Sequence, residues 1–212
     1  NIQYTIYNIQ YTIYNIQYTI YNIQYTIYNS LLLSIPIRIC VFYPLHNYLN
    51  LNKNINEYSY LMILFYMTLT VLYTDICFYI PHRLMHNNRL LFNHIHKVHH
   101  DIIDSYAISF QYCHTIEAVI NEITVSLPPI LGCLPNELFY LWYITAQVSV
   151  CLCHCGYIFK NHDNHHHYKM CEYGISGLPY INMDYLLKTK YINMIDKTRC
   201  VSKNTKSNVN LN

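Results

Sequence analysis

The sequence predicts an all-α integral membrane protein, in which transmembrane helices carry a histidine-rich helical cap. Of its 212 residues, 11% are charged and 53% are hydrophobic, whereas about a quarter of a typical soluble domain is charged. Long uncharged runs have the length that a helix needs to cross a bilayer. All but one of the 13 histidines fall between His82 and His167. Together these observations favour a membrane protein whose chemistry depends on imidazole.

Charge and cysteine content argue against two other classes of protein. The net charge is +2 with histidine neutral, and the sequence has no basic stripe that would neutralise many phosphates, so nucleic acid is excluded as a partner. The nine cysteines are an odd number without a disulfide-like framework. They therefore indicate reduced thiols rather than a secreted, disulfide-stabilised domain.

The chain begins with a repeat. Residues 1–29 contain four perfect copies of Asn-Ile-Gln-Tyr-Thr-Ile-Tyr followed by Asn29. The isoleucines step by three and four as in a heptad, yet the Ile, Tyr and Thr content favours a strand. We interpret residues 1–29 as low-complexity sequence with aggregation potential, with an oligomerising arm as the alternative.

The apolar segments divide the rest of the chain. Residues 30–58 form a weak membrane or interfacial segment, because prolines, Arg38 and His46 interrupt it. Residues 60–81 predict a span of about 22 residues, or roughly 33 Å of helix. Residues 138–159 contain no Asp, Glu, Lys or Arg and predict a second span.

The two spans set the topology of the histidines. The run at residues 123–134 is too short to cross alone and predicts half of a re-entrant hairpin that residues 138–159 close. Two crossings return the chain to one face, where Lys97 and Lys160 lie near the histidines. The positive-inside tendency makes this the cytosolic face. A polar C-terminal tail, residues 191–212, follows.

Three histidine motifs fall on that face. His82-Arg-Leu-Met-His86 places two imidazoles on one side of a helix, and two His-x-x-His-His motifs begin at His96 and His162. Their eight imidazoles exceed the four ligands of a structural zinc, which implies two metals in the cap. Asp75 lies on the face of the first motif and could fix an imidazole tautomer. Iron, zinc and copper remain open on ligand softness alone.

These motifs resemble a known family. Asp75-Ile-Cys-Phe-Tyr-Ile-Pro-His82-Arg-Leu-Met-His86, with the His96 motif after it, is similar to the membrane fatty acid hydroxylase and sterol desaturase superfamily. Gln-Tyr-Cys-His-Thr-Ile-Glu at 111–117 and His-Cys-Gly-Tyr-Ile-Phe at 154–159 look most like motifs of the 4-methylsterol oxidases. So do residues 162–166 and the Met-Asp motif at 183–189. The resemblance covers about residues 59–190, which we take as the hydroxylase-like domain.

The resemblance implies an activity and its cofactor. It implies a two-iron centre on the cytosolic side of the endoplasmic reticulum membrane, in a multi-pass protein. It implies electrons from NAD(P)H through a cytochrome b5-type donor, and O2-dependent oxidation of a sterol 4-methyl group. His114 and His154 would be additional ligands, and Asp75, Asp163 and Asp184 would support the ligands from behind. The expected metal ligands are His82, His86, His96, His99, His100, His114, His154, His162, His165 and His166.

Departures from the family pattern keep alternatives open. Thr115 replaces a proline after His114, and Lys188 replaces a glycine in the closing motif. Phe159 is followed almost at once by His162, where relatives have a longer connection, so the last motif is expected to have difficulty reaching the metals. A sterol C-5 desaturase or a fatty acid hydroxylase shares the same motifs. A non-catalytic or degenerate histidine-rich membrane metal binder is the alternative that the short link favours.

Overall fold

A computed structural model describes residues 2–49, 53–103, 105–132, 134–155, 161–175 and 181–191. Within these ranges every regular element is a helix. The predicted all-α class is therefore confirmed. The tail after Tyr191 and the link at 156–160 lie outside the described residues.

The N-terminal repeat is helical. Helices α1 (Ile2–Ile27), α2 (Ile35–Ile37) and α3 (Tyr43–Leu49) follow one another through π-helical turns. They form one helical stretch, Ile2–Leu49. The strand that the Ile, Tyr and Thr content favours is not observed, because a helix satisfies the backbone groups of an apolar segment within that segment.

Helix α4 (Tyr60–Asn87) carries the first histidine motif at its C-terminal end. Ser59 caps its start by accepting a hydrogen bond from the Met62 N–H group. Its first turns are exposed, with Tyr60 at 92% and Leu61 at 79%. Among the described residues, Ile2–Leu49 and Tyr60–Asn87 are the two helices long and apolar enough to cross a membrane. Exposed apolar helices of this length fit the predicted membrane protein.

A hairpin packs against α4. Helix α6 (Thr115–Leu131) and helix α7 (Asn136–His154) are its two arms, after the short α5 (Arg89–His94). The Trp142 indole of α7 donates a hydrogen bond to the Val125 carbonyl of α6 at 2.9 Å. Helix α7 forms most of the predicted second span, but it is not one of the two helices that satisfy the length and hydropathy requirements. The core between these elements consists of Phe42, Val125, Ile130, Phe139, Trp142, Tyr143 and Ala146.

The N-terminal helical stretch is joined to the hairpin by polar contacts. Arg38 forms a bidentate ion pair with Glu122 of α6, and both N···O distances are 2.6 Å. His46, which interrupts the segment expected to be a weak membrane or interfacial one, is fully buried. Its Nε2 atom lies 2.7 Å from the Leu134 carbonyl oxygen, and its ring stacks on Phe139. The segment is therefore part of the packed bundle, and it fixes the position of the hairpin.

Two short helices complete the described chain. Helix α8 (Asn161–Tyr168) carries the last histidine motif, and helix α9 (Met183–Leu186) carries Asp184. Both pack at the end of the bundle where α4 ends and α6 begins, so the histidines of distant segments meet there.

Candidate metal centre

Five imidazoles form the first group. They come from the end of α4, the 3-10 turn His96–Asp101 and α8. The His96 Nε2 atom lies 3.1 Å from that of His82, 2.8 Å from that of His86 and 3.1 Å from that of His100. The His100 Nε2 atom also lies 3.1 Å from that of His165. The members of group one are His82, His86, His96, His100 and His165.

Four further imidazoles form the second group beside the first. The His99 Nε2 atom lies 3.4 Å from that of His162 and 3.5 Å from that of His154. All four side chains are buried. The members of group two are His99, His154, His162 and His166.

Local backbone geometry sorts neighbouring histidines into the two groups. His82 and His86 are four residues apart on α4, so both face group one. On α8, His162 and His166 are also four apart and face group two, while the intervening His165 faces group one. Despite the short link before α8, the last motif reaches both groups. The expectation that the link would prevent this is wrong.

Hydrogen bonds on the far side of the rings fix which nitrogen faces inward. The His82 Nδ1 atom lies 2.7 Å from the Tyr173 carbonyl oxygen, and that of His99 lies 3.1 Å from the Tyr112 carbonyl oxygen. The His165 Nδ1 atom is bonded in the same way to the Cys171 carbonyl oxygen at 2.6 Å. A carbonyl oxygen only accepts, so each Nδ1 carries the proton.

The inward Nε2 atoms consequently present lone pairs to one another. Nitrogen lone pairs about 3 Å apart repel each other unless a cation or a proton lies between them. Burial lowers the pKa of His99 to about 4. Burial and then the neighbouring imidazoles lower the pKa values of His162 and His165 well below the ordinary histidine value. Neutral imidazoles are the form that ligates metals, so the donor set fits metal ions.

The number of donors limits the geometry. Five imidazoles exceed the four of a tetrahedral site, so one tetrahedral ion does not account for group one.

Asp75 and Asp184 act on the backbone behind the ligands. Asp184 accepts hydrogen bonds from the N–H groups of Tyr173 at 2.8 Å and Gly174 at 2.6 Å. Asp75 accepts from the N–H groups of Ile175 at 3.2 Å and Met183 at 2.7 Å. These carboxylates hold the loop whose Tyr173 carbonyl orients His82. Both carboxylates therefore support the centre through the backbone of this loop. The sequence predicted instead that Asp75 would fix the tautomer of an imidazole directly.

Two predicted site residues lie elsewhere. His114 belongs to neither group, because it caps α6 by accepting the Ile116 N–H group on its Nδ1 atom at 3.2 Å. Asp163 lies 3.4 Å from Ser105 Oγ, which is also 2.9 Å from the His154 carbonyl oxygen. Asp163 therefore contacts the edge of the centre rather than an imidazole nitrogen.

Glu117 is a site residue for which the sequence predicted no role. It is 3% exposed, and its Oε1 atom lies 2.9 Å from the His96 Nδ1 atom. A carboxylate behind a ligating imidazole fixes its tautomer and raises its basicity. The sequence feature that could have identified Glu117 is its position as an acidic residue in the first turn of an apolar helix, three positions after His114.

A small cavity of about 40 Å³ adjoins group two. His99, His154 and His162 border it, together with Glu117 and with His82 of group one. Apolar side chains such as Phe110 and Val150 form much of the remaining wall. Three of the four group-two imidazoles therefore line a space next to the centre that suits a small molecule or the end of a larger one.

Known proteins share this sequence pattern. The family model for fatty acid hydroxylases matches residues 67–189. Sphinganine C4-monooxygenase 1 of Arabidopsis thaliana is 26% identical over 147 residues, which are 63% of this chain and 56% of the relative. Methylsterol monooxygenase 2-2 of the same plant is 26% identical over 143 residues, 60% of this chain and 51% of the relative.

A third relative covers more of the chain at lower identity. A very-long-chain aldehyde decarbonylase of Oryza sativa subsp. indica is 22% identical over 171 residues, 74% of this chain and 64% of the relative. The chain thus spans about half to two thirds of the length of these relatives. No solved structure matches it significantly. Since residues 67–189 are more than half of the chain and contain both histidine groups, the chain belongs to the fatty acid hydroxylase family.

Proposed function

We propose that this protein is a two-iron membrane oxygenase that oxidises a sterol 4-methyl group at the endoplasmic reticulum membrane. Electrons would come from NAD(P)H through a cytochrome b5-type donor on the cytosolic side. The observation that carries the proposal is the convergence of nine imidazoles in two adjacent groups. Membership of an oxygenase family and the resemblance to methylsterol monooxygenases support the choice of reaction.

The donor set favours iron over structural zinc. Group one offers more than four nitrogen donors, and imidazole suits iron as well as it suits zinc. Two bound irons would supply the redox chemistry by which O2 oxidises a C–H bond. The residues of groups one and two would hold these ions. His114, which the sequence also predicted as a ligand, lies outside both groups.

The chain itself positions the substrate and shields the reaction. The cavity beside group two would receive the carbon to be oxidised, and the apolar side chains in its wall, among them Val125 and Val150, would limit the access of water. The exposed apolar faces of α4 would keep the centre next to the bilayer, from which a sterol can enter. The loop at Tyr173 and the carboxylate of Glu117 would keep the imidazoles in place during turnover.

Turnover of a defined sterol tests this function. The purified protein would be supplied with a 4,4-dimethylsterol, O2, NADH, cytochrome b5 and its reductase, and the products analysed by mass spectrometry. We expect 4-hydroxymethyl, aldehyde and carboxylate products. His99→Ala should abolish them, while His94→Ala, an exposed histidine outside both groups, should retain them. A wild-type protein that holds iron but leaves the sterol unchanged would contradict the proposal.

A second candidate is hydroxylation of a long-chain base. The match to sphinganine C4-monooxygenase 1 covers 63% of the chain, slightly more than the match to methylsterol monooxygenase 2-2. The same incubation with sphinganine distinguishes the two substrates. Hydroxylated sphinganine without sterol products would favour this candidate. Unsaturation of either lipid would instead indicate a desaturase.

A further inference from the structure

One of the two carboxylate oxygens of Glu117 makes no hydrogen bond to the imidazoles of the centre. Its Oε1 atom lies 2.9 Å from the His96 Nδ1 atom. Its Oε2 atom is buried and has no hydrogen-bond partner among the described residues. Buried polar atoms are nearly always paired, and an unpaired one costs about 1 to 3 kcal/mol. An unpaired carboxylate oxygen at this position points to a hydrogen-bonding ligand.

The cavity beside group two gives this oxygen access to a ligand. Glu117 borders that cavity together with His99, His154 and His162. Glu122 is a second carboxylate in the cavity wall. Arg38 occupies both oxygens of Glu122, each at 2.6 Å. Of these two carboxylates, Glu117 is the one with an oxygen available to a ligand.

The hydrogen bond to His96 determines which hydrogen-bonding role Glu117 can offer to a ligand. The His96 Nε2 atom faces three other Nε2 atoms of group one at 2.8 to 3.1 Å. When this nitrogen ligates a metal, the proton of the ring is on Nδ1 and is donated to Oε1 of Glu117. With Oε1 accepting the His96 proton, Oε2 is the carboxylate oxygen left to accept a hydrogen bond, and a donor on the ligand would supply its missing partner.

We propose that Glu117 binds the substrate by accepting a hydrogen bond from a lipid hydroxyl group. This inference rests on the proposed function, in which the hydroxyl is the one at sterol carbon 3, next to the carbon that carries the oxidised methyl groups. Glu117 thereby selects a lipid with an O–H donor beside the reacting carbon over one that has only an acceptor there. It also links that hydroxyl to group one through His96.

A binding measurement tests this selection without turnover. The iron-loaded protein is kept free of O2 and titrated with a 4,4-dimethylsterol and with its 3-ketone, which has nearly the same shape but no donor. Trp142 is the single tryptophan, and its indole is bonded to the carbonyl of Val125 in the cavity wall. Its fluorescence is the signal used to follow ligand binding. We expect the wild-type protein to bind the alcohol at least about tenfold more tightly than the ketone.

Glu117→Gln is the diagnostic variant. The amide oxygen can keep the bond to His96, which places an NH2 donor toward the cavity, and either ligand can accept from it. We expect the two affinities to come within about twofold of each other. Glu137→Gln, at an exposed glutamate in the first turn of α7, is the matched control and should keep the wild-type preference.

Two results would overturn the inference. Equal binding of alcohol and ketone by the wild-type protein would show that no acceptor selects the ligand, and this result needs no variant. An unchanged preference in Glu117→Gln would show that Glu117 supports only His96, because a purely structural defect weakens both ligands alike. A preference that Glu117→Gln abolishes, in a protein that forms no oxidised sterol, would sustain this inference while contradicting the proposed reaction.

Discussion

At the scale of single residues, the hydrogen-bond acceptors behind the imidazole rings determine which ring nitrogen is free to bind a metal. The carbonyl oxygens of Tyr112, Tyr173 and Cys171 hold the protons of three imidazoles on Nδ1. The spacing of the histidines in the sequence predicts their convergence, because residues three and four apart share a helix face. Backbone acceptors have no sequence signature, so neither these partners nor the contact of Glu117 with His96 could be predicted.

Gly174 offers a test of this backbone support. A Cβ atom at this position would lie 2.8 Å from a carboxylate oxygen of Asp75 and 2.8 Å from one of Asp184. Gly174→Ala should therefore displace the loop that orients His82 and weaken metal affinity about 10- to 100-fold. Iron content and chelator titration would measure this. Gly132→Ala, at the far end of α6, should retain wild-type affinity, and an equal loss in both variants would contradict the account.

The buried imidazoles predict a pH dependence for the metal-free protein. His99 has a folded-state pKa of about 4, below the ordinary value of 6.5. Below pH 6.5 the unfolded chain binds a proton that the folded chain does not, so stability falls as the pH drops from 6.5 toward 4. This residue alone accounts for a loss of about 3 kcal/mol across that window.

Unfolding by denaturant at several pH values would measure this loss. His99→Phe should reduce the slope between pH 6.5 and pH 4 by about one proton. His94→Ala, at an exposed ring, should leave the slope unchanged. A metal-free protein whose stability is constant over this window would show that the imidazoles are not buried as described.

At the scale of elements, the end of the repeat supports group two. Asn29, directly after the last copy, is fully buried. Its Nδ2 atom donates to the carbonyl oxygens of Gln111 and Cys113, both at 2.8 Å. The carbonyl between them, that of Tyr112, orients His99. Composition predicted a separate low-complexity segment. Composition alone cannot show that two carbonyl groups far away in the sequence hold the end of the repeat in place.

Asn29→Leu tests whether the helical stretch contributes to the centre. Leaving two buried carbonyl groups without a donor should destabilise the protein by about 1 to 3 kcal/mol and lower its iron content. Asn8→Leu replaces the same residue type at an exposed position of the repeat and should change neither. Thermal unfolding and elemental analysis would compare them. If Asn29→Leu behaves like Asn8→Leu, the repeat does not support group two.

At the scale of the whole molecule, the fold joins segments far apart in sequence. Apolar runs predicted α4 and the hairpin, because burial in lipid or protein requires continuous apolar helices. The same reasoning could not place His46 in the core or pair Arg38 with Glu122, since such contacts depend on how helices pack. The family motifs predicted nine residues that converge, and they also predicted His114, which instead caps α6.

The measurement that tests the account most directly is the metal content of the purified protein. His99 and His100 are consecutive, yet they face different groups. We expect about two irons per wild-type chain, and about one in each of His99→Ala and His100→Ala. His94→Ala should keep about two irons. A wild-type chain with one metal ion or none, or with zinc that neither variant reduces, would contradict the two-metal centre.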